Sequence, residues 1–183
     1  MTGRRTEVME AAYNLMGTQG LEAVHARTVA AKLGINHATV HYYFRTRPQL
    51  LAGVAEYALE RLAADRKKVG EAANASETVE NELALAEAYS RHNSRFAKVL
   101  LALTAAMPGA PELKEPLMTL WKAWRSPLEE AVPNAKFRRS SPYNDAETLA
   151  AQLFGLMASA HLTEGEVAVD QKLDQIFDSL FKA

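Results

Sequence analysis

The sequence predicts an all-α protein: an N-terminal three-helix head with a helix-turn-helix on a larger helical body, about nine helices in all. Three observations predict it. Apolar residues recur at i, i+3, i+4 and i+7 through nearly the whole chain. Sustained period-2 alternation and the Asn-Gly or Asp-Gly pairs of tight hairpins are absent. Short Gly, Pro and capping-residue clusters punctuate the periodic segments at helix-length intervals.

The first helix is expected from Arg5 to Thr18, with Val8, Ala12, Leu15 and Met16 on one face. Gly20 stops it, and Leu21 and Val24 return to the core. A short helix follows, Arg27 to Leu33, with Val29, Ala30 and Leu33 inward and Gly34 as its left-handed stop. Ile35 plugs the turn. Asn36 caps a third helix, His37 to Phe44, in which Val40 and Phe44 share a face. Thr46-Arg47-Pro48-Gln49 is a capping box with Pro in the first turn. It opens a long helix, Arg47 to Val69, with Leu50, Leu51, Val54, Tyr57, Ala58 and Leu62 inward.

Residues 70–76 form a polar linker. A fifth helix, Glu77 to His92, carries Val79, Leu83, Ala86 and Tyr89. A sixth, Asn93 to Met107, carries Phe96, Val99, Leu100 and Leu103. Pro108-Gly109-Ala110-Pro111 breaks the chain. The seventh helix, with Leu113, Leu117, Leu120, Trp121 and Trp124, meets a second capping box at Ser126-Pro127-Leu128-Glu129. It is therefore expected to kink or split there. Pro133 to Asn144 reads as a loop with a basic run, Lys136, Arg138 and Arg139. The eighth helix starts at Asn144, capped with help from Glu147, and ends near Leu162. Leu149, Leu153, Leu156, Met157 and Ala160 form its stripe, and Gly155 and Ser159 permit close helix approach. Thr163-Glu164-Gly165-Glu166 opens a ninth helix with Leu173, Ile176, Phe177, Leu180 and Phe181.

Composition narrows the function. The chain has 183 residues, 48% hydrophobic and 23% charged, which excludes a disordered or collagen-like chain. With no cysteine there is no disulfide framework, thiol nucleophile or thiolate metal site. No apolar run approaches a membrane span. The basic N-terminus carries Glu7 and Glu10 before any apolar core, so no signal peptide and a cytoplasmic location are expected. Net charge is −1 overall, but residues 1–50 hold six basic and three acidic residues, +3, leaving −4 for the remainder. Three of the five histidines, His25, His37 and His41, also lie in that stretch. A basic head on an acidic body points to a polyanion partner at the head.

The informative segment is Arg27 to Leu51, RTVAAKLGINHATVHYYFRTRPQLL. Two short helices around Gly34 make a helix-turn-helix. The second buries one narrow face and leaves Thr, His and Tyr free for base edges, sugars and phosphates. The segment resembles the TetR family of transcriptional regulators in Ala30-Ala31-Lys32-Leu33-Gly34-Ile35-Asn36, Thr39-Val40-His41-Tyr42-Tyr43-Phe44 and Arg47-Pro48-Gln49-Leu50-Leu51. The likeness is close over roughly the first 55 residues of the sequence and otherwise lies in helix pattern and length. Two positions depart from the family pattern. His25 stands where Thr or Ser usually caps the second helix, and His41 where a first Tyr is usual. Arg47 keeps the charge of the usual Lys.

The resemblance implies a DNA-binding head at 1–46, with the motif at about 27–46, and an effector-binding and dimerisation body at 47–183. It implies that Arg27 and Thr28 hold phosphate, Arg27 also reaching a base. His37, Thr39 and Tyr42 would face base edges, His41 and Tyr43 flanking phosphates, and Arg47 the backbone. It implies a homodimer through about 145–182, placing two reading helices about one DNA turn apart on a palindromic operator. It also implies an effector pocket, for which Tyr89, His92, Phe96, Leu103, Met107, Met118, Trp121, Trp124 and Phe154 are candidates. The scarcity of charge there favours a largely apolar small molecule.

The implied function is a ligand-responsive repressor without cofactor, metal or membrane partner. His37 and His41 have metal-ligand spacing, but the Glu of a HExxH motif and a third ligand are missing. A helical small-molecule carrier without operator binding is the alternative. A small His/carboxylate enzyme is a weaker one, because no nucleophile elbow, P-loop or dinucleotide glycine motif occurs.

Overall fold

The computed structural model describes residues 3–91, 94–135, 137, 141–142, 145–163 and 168–181. Among these there are nine α-helices and no strand: α1 (Arg4–Gln19), α2 (Ala26–Leu33), α3 (His37–Tyr43), α4 (Arg47–Val69), α5 (Ala75–Ser90), α6 (Arg95–Ala106), α7 (Lys114–Ala131), α8 (Ala146–Leu162) and α9 (Val169–Phe181). The all-α expectation holds. The chain forms two compact units, Met1–Arg61 with Lys98–Trp121 and Leu62–Ala97 with Lys122–Ala183. No helix among the described residues is long and apolar enough to cross a membrane.

In the first unit the predicted face of α1 is buried, and Met9, Ala11 and Tyr13 join it. Val24, Val29 and Ala30 are buried, while Leu21, Leu33 and Ile35 are only partly so. Gly34 adopts φ 65°, a left-handed conformation costly to any residue with a Cβ. The reversal is closed by Ile35 N–H donating to the Ala30 carbonyl at 3.0 Å. Asn36 caps α3 by accepting from Ala38 N–H at 2.9 Å. Thr46 Oγ1 accepts from Gln49 N–H at 3.2 Å, and Gln49 Oε1 accepts from Arg45 N–H at 2.9 Å. This fixes the start of α4 where its capping box predicts.

Gly53 is the tight point of this unit. A Cβ built there would lie 2.6 Å from Phe44 Cε1 and 3.3 Å from Met9 Cγ. Phe44 can therefore sink against α4, which anchors the end of α3. Tyr13 meets Tyr57 edge-on at 5.3 Å. Burial, and then the charge of Glu10, push the Tyr57 hydroxyl above its ordinary range.

The second unit corrects several expectations. The fifth helix starts at Ala75 rather than Glu77. Asn74 accepts from Glu77 N–H at 3.1 Å while Glu77 accepts from Ala73 N–H at 2.7 Å. This is a reciprocal cap that the polar linker conceals. The eighth helix starts at Ala146, and its cap is Asp145, which accepts from Thr148 N–H at 2.7 Å. Asn144 lies outside the described residues, as do Lys136, Arg138, Arg139, Glu164, Gly165 and Glu166. The Thr163 hydroxyl donates back to the Ser159 carbonyl at 2.9 Å.

The larger correction is at Pro127. The helix does not split there: α7 runs unbroken from Lys114 to Ala131. Proline has no N–H, so the Ala123 carbonyl loses its usual i+4 donor. Arg66, in the last turn of α4, takes that place. Its Nη1 donates to the Ala123 carbonyl at 2.6 Å and its Nη2 to the Trp124 carbonyl at 3.0 Å. The same guanidinium meets Glu82 of α5 through two bonds of 2.8 Å, and Glu82 is 4% exposed. A buried carboxylate, a cation and a proline gap thus complete one another.

The predicted stripe of α8 is wholly buried within the chain, with α5 packed against both α8 and α9. Leu173, Ile176 and Leu180 of α9 are buried too, and Phe177 and Phe181 partly. Beside the polar Glu147, Thr148 and Gln152, α8 leaves exposed a row of Ala151, Gly155, Ser159 and Leu162, the last 81% exposed. A Cβ at Gly155 would meet nothing within 4 Å.

Candidate nucleic-acid interface

The local sequence makes α3 a short, thinly anchored helix. Val40 is its one buried residue, and Phe44 at its C-cap is the second anchor. With two inward positions four apart, the other faces of its two turns are left largely to solvent. His37, His41 and Tyr42 are exposed and Thr39 and Tyr43 half-buried. Tyr42 is 80% exposed, an unusual position for a large ring unless a partner covers it. The rings are held at fixed angles, His37 edge-on to His41 at 6.1 Å and Tyr42 edge-on to Tyr43 at 5.0 Å.

A cleft opens on each flank of α3. The first, about 330 Å³, is lined by His25, Arg27, His41, Thr46 and Arg47, with the buried Phe44 and Leu50. The second, about 430 Å³, carries Tyr42, Tyr43, Arg5 and Arg45. Sequence reasoning does not single out Arg5 or Arg45, though both belong to the six basic residues of the head. Arg5 lies over the Phe44 ring at 5.2 Å and donates to Glu56 at 2.7 Å, so it is partly committed to the fold. Arg45 is exposed beside the Tyr pair.

All eight sequence-predicted DNA contacts lie in this unit. Arg27 is exposed and Thr28 half-buried in the first turn of α2, whose N-cap residue His25 gives no side-chain cap bond. The free N–H groups there attract an anion. Arg47 is placed differently from a free phosphate ligand. Its guanidinium donates to the Leu21 carbonyl at 2.8 Å and the Val24 carbonyl at 3.1 Å, and meets Glu22 at 3.3 Å. It ties the start of α4 to the turn before α2.

In the second unit Tyr89, Phe96 and Trp124 come together as a stack. Tyr89 to Phe96 is 4.1 Å between ring centroids, Tyr89 to Trp124 6.1 Å and Phe96 to Trp124 6.5 Å. The Tyr89 hydroxyl is bonded to Asp65 at 3.0 Å. Trp124 is buried, yet its indole N–H has no partner. Phe154 is half-buried in the same unit. Leu103, Met107, Met118 and Trp121 belong to the first unit, where Leu103 is buried, Trp121 half-buried, and Met107 and Met118 exposed. His92 lies outside the described residues.

A narrow-footed polar helix between two arginine-bearing clefts is the arrangement of a helix-turn-helix. Residues 8–54 match the family described as bacterial regulatory proteins, tetR family. Solved structures share the fold over the whole chain. A transcriptional regulator from Rhodococcus sp. Rha1 is 20% identical, covering 99% of this chain and 100% of its own, with a TM-score of 0.74. A TetR-family transcriptional regulator from Rhodococcus sp. is 22% identical, covering 98% and 100%, at 0.75. A transcriptional regulator from Saccharomonospora viridis in complex with choline is 21% identical, covering 95% and 93%, at 0.70. No curated protein matches the chain. Residues 8–54 thus resemble the DNA-binding segment of that family, and the whole chain shares the fold of these solved structures.

Proposed function

We propose that the protein is a homodimeric repressor that leaves a palindromic operator when its body binds a small, largely apolar effector. The observation that carries the DNA reading is α3, whose buried anchors are Val40 and Phe44, with Tyr42, His37 and His41 exposed. Residues 1–46 act as the reading head and 47–183 as the effector-binding and dimerisation body. His37, Thr39 and Tyr42 read base edges. Arg27, Thr28, His41 and Tyr43 hold phosphates, with Arg45 as an added candidate. Arg47 acts mainly by fixing the head's geometry.

Dimerisation is assigned to the outer faces of α8 and α9. The exposed row Ala151, Gly155, Ser159 and Leu162 supports this, since small residues allow helices to approach and Leu162 is left uncovered. The effector is assigned to the Tyr89, Phe96 and Trp124 stack. The orphan indole N–H supplies a polar handle for an acceptor on an otherwise flat, apolar molecule. Such a ligand shifts operator affinity only as far as it prefers the conformation that releases DNA.

Selection of duplexes from a random library, followed by gel shift at several salt concentrations, tests the reading. A palindromic site is expected, with affinity falling steeply as salt rises because phosphate contacts release counterions. Thr39→Ala or Tyr42→Ala should lose base discrimination while helicity and melting stay unchanged. A folded protein that selects no duplex would leave the ligand-carrier reading standing instead.

A further inference from the structure

The cleft beside α3 combines two histidines and two arginines, His25, His41, Arg27 and Arg47. The imidazoles come from different elements, His25 from the N-cap of α2 and His41 from α3. Both are exposed. The charged and titratable groups around them are few. His37 lies edge-on to His41. Arg47, from the first turn of α4, meets Glu22 at 3.3 Å and two carbonyls. Arg27 stands in the first turn of α2, where the N-cap gives no side-chain bond. Among the described residues no carboxylate lines the cleft itself. A protonated imidazole at either position therefore has no counter-charge in the cleft, and a phosphate would supply one.

We propose that this cleft is a proton-dependent phosphate site: His25 and His41 clamp a DNA backbone phosphate in their charged form, so DNA affinity rises as pH falls through the imidazole range. The inference rests on the DNA-binding reading and adds its regulation. The sign follows from linkage. Imidazole ordinarily titrates near pH 6.5, inside the physiological span. An anion placed against it favours the imidazolium, so binding takes up protons and is strengthened where protons are plentiful. One proton taken up on binding changes affinity by up to about tenfold per pH unit, and two by the square of that.

The test uses the full chain and a labelled duplex selected from a random library at pH 6, read by fluorescence anisotropy at constant ionic strength from pH 6 to pH 8. Wild-type affinity is expected to fall at least about tenfold across that range. His25→Thr and His41→Tyr should each flatten the slope, and the pair together should bring the change within about twofold. His161→Asn, in the second unit, should keep the slope. His25→Lys with His41→Lys, which fixes the charge, should hold at pH 8 an affinity near the wild type's at pH 6. Duplex binding that is flat from pH 6 to pH 8, or a slope that survives the double substitution, overturns the proposal. A folded protein that binds no duplex at any pH overturns the DNA-binding reading, and the phosphate site with it.

Discussion

The helices of the head and those of the tail share one periodicity and spend it differently. In α3 the inward stripe is two residues wide, Val40 and Phe44, and the outer surface is polar and aromatic. In α8 five inward residues, Leu149, Leu153, Leu156, Met157 and Ala160, are buried, and the outer surface mixes polar Glu147, Thr148 and Gln152 with small residues and Leu162. A helix that must be read by another molecule keeps its own anchorage narrow. A helix that builds a core widens it. The energetic consequence is that α3 depends on one or two buried anchors, whereas the tail unit depends on many apolar contacts and a buried charged node at Glu82.

That node gives the largest expected effect. Arg66→Met leaves Glu82 buried without its cation and the Ala123 carbonyl without a donor. The cost should be about 3–5 kcal/mol, read as a lowered urea midpoint at fixed protein concentration. Pro127→Ala sharpens the point by returning an N–H to α7. Combined with Arg66→Met it should recover about 1 kcal/mol more than it yields in the otherwise wild-type chain, the worth of one hydrogen bond. If the two changes simply add, Arg66 does not close the proline gap.

The head breaks at a smaller atom. Gly53→Ala places a methyl 2.6 Å from the Phe44 ring, which is buried and cannot swing aside freely. Overpacking costs about 1–3 kcal/mol. Better helix propensity returns about 1 kcal/mol. The net loss should be visible as a lower melting temperature together with weakened DNA binding, because the displaced ring is the anchor of α3. In a Phe44→Leu background the same Gly53→Ala change should become neutral or stabilising. A clash that persists without the aromatic ring would place the tight contact elsewhere.

This contrast also explains what the sequence reveals. The head was legible because its signals are local: Gly34, Asn36 and the Thr46 to Gln49 cap each act within five residues. Its two anchors and its outward residues follow from spacing alone. The second unit misleads where a distant group intervenes. Pro127 beside a capping pattern reads as a kink or a split, and Arg66, far away in sequence, supplies the donor that the proline removes. The wide stripe of α8 reads as a surface awaiting a partner, yet it is core. Its burial depends on α5, which no local pattern names. Arg47 shows the converse limit in the head, a cation whose spacing suits phosphate but whose hydrogen bonds serve two carbonyls.

The smallest effects lie at the caps, and pH separates the two regions there. Asn36→Ala should cost the head about 1 kcal/mol, a loss equal at all pH values because an amide does not titrate. Asp145 caps α8 with a carboxylate. Its hydrogen bonds to Thr148, side-chain cap first, hold it below the ordinary aspartate range. A depressed carboxyl contributes stability that is fully present above its unfolded value and is lost as pH falls through its folded one. Asp145→Asn keeps an acceptor at the cap and removes the titration. The melting-temperature gap between wild type and this variant should therefore narrow as pH falls below the usual carboxylate range. The gap between wild type and Asn36→Ala should stay constant there. A gap at Asp145 that holds steady into acid would mean that its charge contributes nothing to the start of α8 and that the acceptor oxygen alone suffices.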